Sequence, residues 1–365
     1  MMINEKRLLE RFLEYIQIDS ESGGEGAFAG RLKEEFGKMG IAAAQDRAGE
    51  HAGNLFVSIP GNEEQEPLLF TAHMDTVVPG RGICPKIQDG LIFSGGDTIL
   101  GGDDKSGIAA VMEAVQVITE RGLDHRPIEI LFTVQEETGL NGSRGADLSA
   151  VRSRYSLAVD GCGPMDEIVT VGAGQANIGI EITGRAAHAG NSPEQGISAI
   201  MAAADAVSSM RLLKIDEETT ANIGSIMADN PTNIVCSHVK MAAEVRSRSK
   251  EKLDRQVRHM RDCVENACKK HGAGFRFDTT YPYASFRVED EAFLGLVRSA
   301  YERMGVQCKC GATMVGSDSN ILNEKGIVSI VVPTGMTNPH ALTEQISVED
   351  LKFTAGLMLE LMAVS

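Results

Sequence analysis

Four short apolar runs in this chain each end just before residues that could bind a metal ion. The runs and the polar residues after them are 68–72 before His73 and Asp75, 128–134 before Glu136 and Glu137, 155–159 before Asp160, and 327–332 before His340. Uninterrupted apolar runs of this length are typical of strands buried on both faces, as in a parallel sheet. Because ligands bind at the carboxyl ends of strands in open α/β sheets, the pattern predicts that these side chains meet at one sheet edge.

A glycine-rich segment adds two carboxylates, Asp103 and Asp104, directly before a helix that the apolar spacing predicts over 105–120. Glycines let the backbone turn sharply, and a helix N-terminus favours negative charge. A carboxylate held there can bridge two cations, and the simpler alternative is an aspartate that caps the helix. Both interpretations hold if one aspartate caps and the other bridges.

The spacing of the polar residues indicates how they could divide the work. His73 and Asp75 point to the same side of an extended chain, so Asp75 can take the proton of one ring nitrogen while the other binds metal. Glu136 and Glu137 point to different sides, so one could bind metal while the other acts as general base on water. A solvated acidic turn is the ordinary alternative for such a pair. So many neighbouring carboxylates require neutralising cations, and the sequence therefore predicts a metal-dependent hydrolase.

Composition narrows the possible partners and chemistry. The net charge of -16 and the lack of a basic stripe argue against nucleic acid. No segment reaches the roughly 18 apolar residues that a membrane span needs. A serine nucleophile is not expected because no Gly-x-Ser-x-Gly elbow occurs. The seven scattered cysteines are interpreted as reduced thiols, so we expect a cytoplasmic protein.

The character of the chain changes near residue 176, where polar and apolar residues begin to alternate as in a half-exposed antiparallel strand. Ser192 and Pro193 predict the start of a helix that runs to about Leu213. Further strands are predicted over 222–228, 232–238, 240–246 and 274–280, with a second helix over 250–270 that stops at Gly272. This is the order of the ferredoxin-like split motif.

We therefore predict an α/β protein with an inserted domain. Residues 1–175 and 285–365 would form a catalytic domain, with a mostly parallel sheet flanked by helices. Residues 176–284 would form a ferredoxin-like α+β lid between these two parts.

These motifs, in this order, resemble the di-zinc exopeptidase and deacylase family that includes peptidase T, glutamate carboxypeptidase and acetylornithine deacetylase. The strongest likeness is to peptidase T-like aminopeptidases, through the segments 71–76, 102–107 and 135–139. The likeness covers nearly the whole chain and implies a zinc-exopeptidase-like catalytic domain.

The resemblance implies a binding site for two divalent metal ions. Zinc is expected, and Co²⁺ or Mn²⁺ also suits imidazole and carboxylate ligands. The implied roles are Asp103 as the bridge, His73 and Asp160 on one ion, Glu137 and His340 on the other, Glu136 as general base, and Asp75 as the residue that orients His73.

The resemblance also implies that the lid is a dimerisation domain, so a homodimer is expected. His188 would stabilise the tetrahedral oxyanion, reaching the neighbouring subunit's site. Asn233 and Arg246 would hold the backbone and carboxylate of a short peptide, since the planar fork of arginine suits a carboxylate.

The residue type at position 160 indicates which activity of the family is expected. Carboxypeptidases and deacylases of this family carry glutamate at this position, so the aspartate favours an aminopeptidase that removes the N-terminal residue of di- and tripeptides. A deacylase of N-acyl amino acids or a carboxypeptidase is the first alternative, and a non-enzymatic metal-binding protein is the second. The segment 314–319 lacks the arginine of the peptidase T pattern, so a strict preference for tripeptides is not implied.

Overall fold

The computed structural model describes residues 2–48 and 52–364. Within them the helices are α1 Glu5–Ile16, α2 Gly26–Lys38, α3 Gly102–Arg121, α4 Asn141–Gly145, α5 Ala199–Ser209, α6 Lys250–His271, α7 Glu291–Arg303, α8 Asp318–Glu324 and α9 Val348–Met362, with a 3₁₀ turn at Pro193–Gln195. None of these helices combines the length and the apolar character that crossing a membrane would require.

The strands of the described residues are β1 Ala43–Gln45, β2 Leu55–Ile59, β3 Leu68–His73, β4 Pro85–Gln88, β5 Leu91–Ser94, β6 Ile128–Thr133, β7 Tyr155–Gly161, β8 Glu167–Gly172, β9 Gly174–Thr183, β10 Leu213–Asp216, β11 Thr219–Met227, β12 His238–Ser247, β13 Gly274–Tyr283, β14 Phe286–Arg287, β15 Lys309–Thr313, β16 Val328–Pro333, β17 Met336–Thr337 and β18 Gln345–Ser347. The chain divides into two compact units. The first consists of Met1–Thr170, Arg287–Ala312 and Ser317–Ser365, and the second of Val171–Phe286 and Thr313–Gly316.

The first unit is built on a large mixed sheet with the strand order β1-β2-β6-β3-β7-β16-β8-β14, in which β15 also pairs with β8. The four central strands β6, β3, β7 and β16 are parallel, whereas β1, β2 and β8 pair antiparallel at the two sides. Every residue of β3 and β6 is buried, as their uninterrupted apolar sequences predict. The predicted α/β fold with a mostly parallel central sheet is confirmed.

The strand order of the large sheet reverses at β3. The chain leaves β3 for β6 on one side and then places β7 on the other side of β3. Ligand sites of open α/β sheets lie at the carboxyl ends of strands that flank such a reversal. A smaller sheet in the order β17-β18-β5-β4 includes β17, which ends at Thr337, three residues before His340.

The second unit is an antiparallel sheet in the order β10-β11-β12-β9-β13, with α5 and α6 in the connections. Alternate residues of β9, such as Ile178, Ile180 and Ile182, are buried in a core shared with both helices. The sequence order β9-α5-β11-β12-α6-β13 is that of the predicted split motif, with β10 added at one edge. Helix α6 stops at Gly272, which adopts a left-handed conformation with φ of 71°, as expected of a C-terminal glycine.

Two local predictions in the second unit are wrong. The helix predicted from Ser192 begins instead at Ala199, with Ser198 as its N-cap accepting a hydrogen bond from the Met201 backbone. Gly196 is extended and ends the short 3₁₀ turn, so the two helical signals belong to separate elements. The strand predicted over 232–238 does not form as a separate strand, because this segment contains a turn and a single bridge between His188 and Ile234.

Candidate metal centre

Strand register brings the first potential ligands to one level at the carboxyl edge of the large sheet. His73 is the last residue of β3 and lies opposite Thr133, the last residue of β6. Thr71 lies opposite Ala158 of β7, so two residues further on His73 is level with Asp160. The His73 Nε2 atom lies 3.8 Å from Asp160 Oδ1. The parallel strands β3 and β7 therefore place the His73 imidazole and the Asp160 carboxylate next to each other at the carboxyl edge of the sheet.

Asp103 lies between the two predicted histidine ligands. Its Oδ1 atom is 2.9 Å from His73 Nε2, and its Oδ2 atom is 3.1 Å from His340 Nε2. The same His340 nitrogen is 2.9 Å from Glu137 Oε2. One carboxylate thus turns an oxygen toward each histidine, which is the arrangement that a ligand shared by two cations needs.

Asp104 has a different set of partners. Its Oδ2 atom accepts a hydrogen bond of 3.2 Å from the His73 backbone, and its Oδ1 atom accepts one of 3.2 Å from the Gly107 backbone. Two groupings of possible ligands occur among the described residues, His73 with Asp104 and Asp160, and His73 with Asp103 and Glu137. We favour Asp103 as the ligand, because both oxygens of Asp104 are already used by the backbone, one of them at the start of the regular part of α3.

A cluster of close side chains is formed by His73, Asp103, Glu137, Asp160 and His340. Its charges shift the pKa values of its members. Burial raises the pKa of Asp160 well above its usual value, and the charges of Asp103 and Glu137 raise it further. Burial lowers the pKa of His73, but its contacts with Asp103 and Asp75 outweigh burial and raise it. Contacts with Asp103 and Glu137 raise the pKa of His340 to about 10. The cluster therefore attracts positive charge, which protons or divalent cations can supply.

Asp75 connects the end of β3, which carries His73, to the segment that carries Glu136 and Glu137. Its side chain is fully buried and accepts hydrogen bonds from the Glu136 backbone at 2.9 Å, the Glu137 backbone at 3.2 Å and the Ser22 hydroxyl at 2.6 Å. His73 Nδ1 is 3.6 Å from Asp75 Oδ1 but 2.9 Å from the Asp75 backbone oxygen. The backbone carbonyl of Asp75 is thus closer to the ring nitrogen than the carboxylate that the sequence indicated.

Glu136 and Glu137 differ as the sequence predicted for adjacent residues. Glu137 turns one oxygen toward His340, and its Oε1 atom is buried without a hydrogen-bond partner. Glu136 has no side-chain contact of this kind with either histidine among the contacts of the described residues. Burial raises the pKa of Glu136 well above its usual value, against the lowering effect of the His73 charge. A carboxylate with a raised pKa is suited to accept a proton near neutral pH.

The second unit contains His188, predicted to stabilise the oxyanion, and the two predicted substrate-binding residues, Asn233 and Arg246. His188 is exposed, and its Nδ1 atom accepts hydrogen bonds from the backbones of Gly190 and Asn191. Asn233 is exposed, and its backbone carbonyl oxygen accepts a hydrogen bond from the Ala189 N–H group. The segments that carry His188 and Asn233 are therefore neighbours. Arg246 on β12 is half-buried.

Arg246 already has a carboxylate partner in its own strand. Its Nε atom is 3.1 Å from Glu244 Oε1, and one terminal nitrogen is 3.3 Å from Glu244 Oε2. The other terminal nitrogen donates to the Met314 carbonyl at 3.2 Å. Gln175 donates to the same Glu244 carboxylate at 3.1 Å. One side of the guanidinium is therefore held within the second unit.

Several buried polar residues around the cluster are not predicted by the sequence pattern. Glu344 accepts hydrogen bonds from the backbone of the loop that carries Asp103. Lys105 is fully buried and donates to the Ile18 carbonyl at 2.6 Å, and burial lowers its pKa to about 7. Asp318 accepts a hydrogen bond of 2.6 Å from Thr133 at the end of β6. None of these residues follows an apolar run directly, so the pattern of strand ends could not identify them.

Residues 69–363 match the model of the peptidase family M20/M25/M40. The chain belongs to this family of peptidases, and the predicted resemblance is confirmed. It is therefore a hydrolase of the peptidase class.

Within the family, the most informative similarities are to aminopeptidases of the peptidase T type. The aminopeptidase PepT from Bacillus cereus has a TM-score of 0.93 and 38% identity, over 99% of each chain. A tripeptidase from Staphylococcus aureus has a TM-score of 0.96 and 36% identity, over 99% of this chain and 98% of that one. A Bacillus subtilis protein named YqjE is 38% identical over 98% of each sequence. The chain is thus a peptidase T-like member of the family.

Proposed function

We propose that this protein is an aminopeptidase that uses two divalent metal ions to remove the N-terminal residue of short peptides. The observation that carries the proposal is the position of Asp103, whose two oxygens face the Nε2 atoms of His73 and His340. Similarity to an aminopeptidase and to a tripeptidase at 36–38% identity supports the same substrate class. Short peptides are therefore the expected substrates.

The residues of the cluster fit a pair of metal ions. One ion would be held by His73, Asp160 and Asp103, and the other by Glu137, His340 and Asp103. The buried, unpartnered Oε1 atom of Glu137 supports this fit, because a buried carboxylate oxygen without a partner is costly unless a cation neutralises it. Mixed imidazole and carboxylate ligands suit Zn²⁺, and also Co²⁺ or Mn²⁺.

The chemistry divides between the ions and the side chains of the chain. When bound, the ions would activate water and polarise the carbonyl of the peptide bond. Glu136 would accept a proton from the attacking water and pass it to the leaving amine, acting first as general base and then as general acid. Asp75 would hold the Glu136 backbone in place and fix the environment of His73.

The second unit would supply substrate recognition. We propose that His188 stabilises the oxyanion, that Asn233 binds the peptide backbone, and that Arg246 binds the terminal carboxylate. The side of Arg246 that Glu244 does not occupy would be the one presented to the substrate. Two parallel N–H donors of a guanidinium match the two oxygens of a carboxylate.

We also propose that the second unit forms a homodimer. Large apolar side chains are exposed on its surface, with Ile200 and Met201 on α5 and Ile226 and Met227 on β11. Neighbouring exposed apolar side chains such as these pairs can contribute to an interaction surface. Light scattering on the purified protein would give twice the chain mass of 39.1 kDa, and a monomeric mass would refute this part of the proposal.

The deciding experiment compares matched peptides, one set with a free amino terminus and one set N-acetylated, after incubation with Zn²⁺, Co²⁺ or Mn²⁺. We expect metal-dependent release of the N-terminal residue from the free-amine set alone. Cleavage of the acetylated set alone would instead indicate a deacylase or carboxypeptidase and would remove the argument based on Asp160. No cleavage of either set with any metal would refute the proposed substrate class.

A further inference from the structure

Glu344 connects two loops that carry proposed metal ligands. Its side chain is 1% exposed, and one carboxylate oxygen accepts hydrogen bonds from the Leu100 backbone at 2.8 Å and the Gly101 backbone at 2.9 Å. The other oxygen accepts a hydrogen bond of 2.9 Å from the backbone of Asp103 itself. A carboxylate that accepts three backbone N–H groups is a strong and directional anchor.

Two glycines in the Leu100–Asp103 loop allow its backbone to approach the Glu344 carboxylate closely. Gly101 has φ of 71°, a conformation that residues with a side chain rarely adopt. A Cβ atom on Gly102 would stand 3.1 Å from the Glu344 carboxylate, closer than ordinary packing allows. The two glycines thus let the N–H groups of Leu100, Gly101 and Asp103 close around one buried side chain.

The ligands of the two proposed ions are supported differently. His73 and Asp160 lie in β3 and β7, which are neighbouring parallel strands of the large sheet. His340 instead lies in a loop, with φ of 62° and a side chain 51% exposed. Glu344 follows it by four residues, in the same connection before β18. Glu344 is therefore the contact that anchors this loop to the backbone of Asp103.

We propose that Glu344 is a positioning residue that sets the affinity of the metal position formed by Glu137, His340 and Asp103. This inference rests on the proposed two-metal site. Without the Glu344 carboxylate, the loop that carries His340 is no longer anchored to the loop that carries Asp103. His340 and Asp103, two of the three ligands of that position, then lose their fixed spacing. The position at His73 and Asp160 keeps two ligands on sheet strands, so it is affected less.

The test is a metal titration of the full-length Glu344→Gln variant. Binding is measured by calorimetry for Zn²⁺ and by the visible absorption spectrum for Co²⁺. Glutamine has nearly the same shape, but its amide group faces an N–H donor and cannot accept. We expect one of two ions to bind about 10- to 100-fold more weakly, while the other retains nearly its wild-type affinity. Equal weakening of both ions, or no change in either, would overturn the proposal.

Glu129→Gln is the matched control. Glu129 is also a buried glutamate that accepts hydrogen bonds from backbone N–H groups, those of Arg152 and Ser153. It lies near the opposite end of the sheet strands, one residue after β6 begins. Its replacement removes a similar buried charge and should lower stability without separating the two metal affinities.

A second variant covers the case in which Glu344→Gln does not fold. Glu344→Asp keeps the charge but is one methylene shorter, so it cannot reach all three N–H groups at once. We expect the same selective weakening, of smaller size, and its absence in a folded Glu344→Asp protein would overturn the proposal. If the wild type binds fewer than two ions, the two-metal function fails as well, and the wild-type titration alone reveals this.

Discussion

Replacing Asp75 with asparagine would test whether one buried carboxylate organises the candidate metal centre. Its two oxygens accept the Glu136 N–H, the Glu137 N–H and the Ser22 hydroxyl. Burial raises the pKa of Asp75, but the contacts with His73, Ser22 and Glu136 outweigh burial and lower the pKa below its usual value. The fold therefore stabilises the charged form, which asparagine cannot provide.

The size of the effect follows from the hydrogen bonds that asparagine cannot make. The two backbone N–H groups contact different oxygens of Asp75, and asparagine has an amide group in place of one of them. One buried N–H then faces another donor, which costs about 1–3 kcal/mol. The remaining bond loses its charge assistance, worth roughly 1 kcal/mol more. We expect a loss of about 2–4 kcal/mol in unfolding free energy and a fall of about 10- to 100-fold in metal affinity.

Urea unfolding of the chelated protein would measure the stability term, and metal titration would measure the affinity term. Asp147→Asn is a suitable control, because Asp147 is exposed and accepts one backbone hydrogen bond from Ser149. A surface change of this kind should stay within about 0.5 kcal/mol of the wild type. If Asp75→Asn were as stable as that control and bound metal with wild-type affinity, our account of Asp75 would be refuted.

Three further predictions follow from the same geometry. Glu136→Gln should lower kcat by about 10²–10⁴-fold without changing the number of metal ions bound, and metal analysis beside peptide hydrolysis would check both; retained turnover would exclude the general-base role. Removing metal with a chelator should abolish hydrolysis, and Zn²⁺, Co²⁺ or Mn²⁺ should restore it; full activity of protein shown to be metal-free would contradict the proposed chemistry. Gly107→Ala should lower the free energy of unfolding by about 1–3 kcal/mol, because a Cβ there would overlap the carbonyl oxygen of Val159 and the carboxylate of Asp104; unchanged thermal unfolding would show that α3 and β7 can move apart freely.

Elements that depend on local pattern were predicted correctly from the amino-acid sequence. The apolar runs of β3, β6 and β7 form buried parallel strands, and α6 stops before Gly272 as predicted. Such predictions succeed because side-chain burial on a strand or a helix follows the periodicity of the sequence. The same reasoning predicts where the polar residues after these runs emerge, since a strand end fixes the position of the residues that follow it.

The start of α5 was predicted wrongly from local sequence, because two possible helix starts lie close together. Ser192 with Pro193 and Ser198 with Ala199 both resemble helix starts, and the helix begins at the second pair. Ile197, just before the second pair, is instead bridged to Arg185, which separates the short 3₁₀ turn from the start of α5. That pairing joins residues twelve apart, so no local pattern contains it.

The groups that hold the proposed ligands in place could not be predicted from local pattern, because they are brought together by packing. Asp103 and Asp104 are adjacent and chemically identical, and they differ only in what surrounds them, histidine nitrogens for one and backbone N–H groups for the other. Glu344 reaches back across more than 240 positions to the Leu100–Asp103 loop. Likewise, Glu244 occupies one side of Arg246. These roles depend on distances between segments remote in sequence, and the chain sets such distances only when it packs.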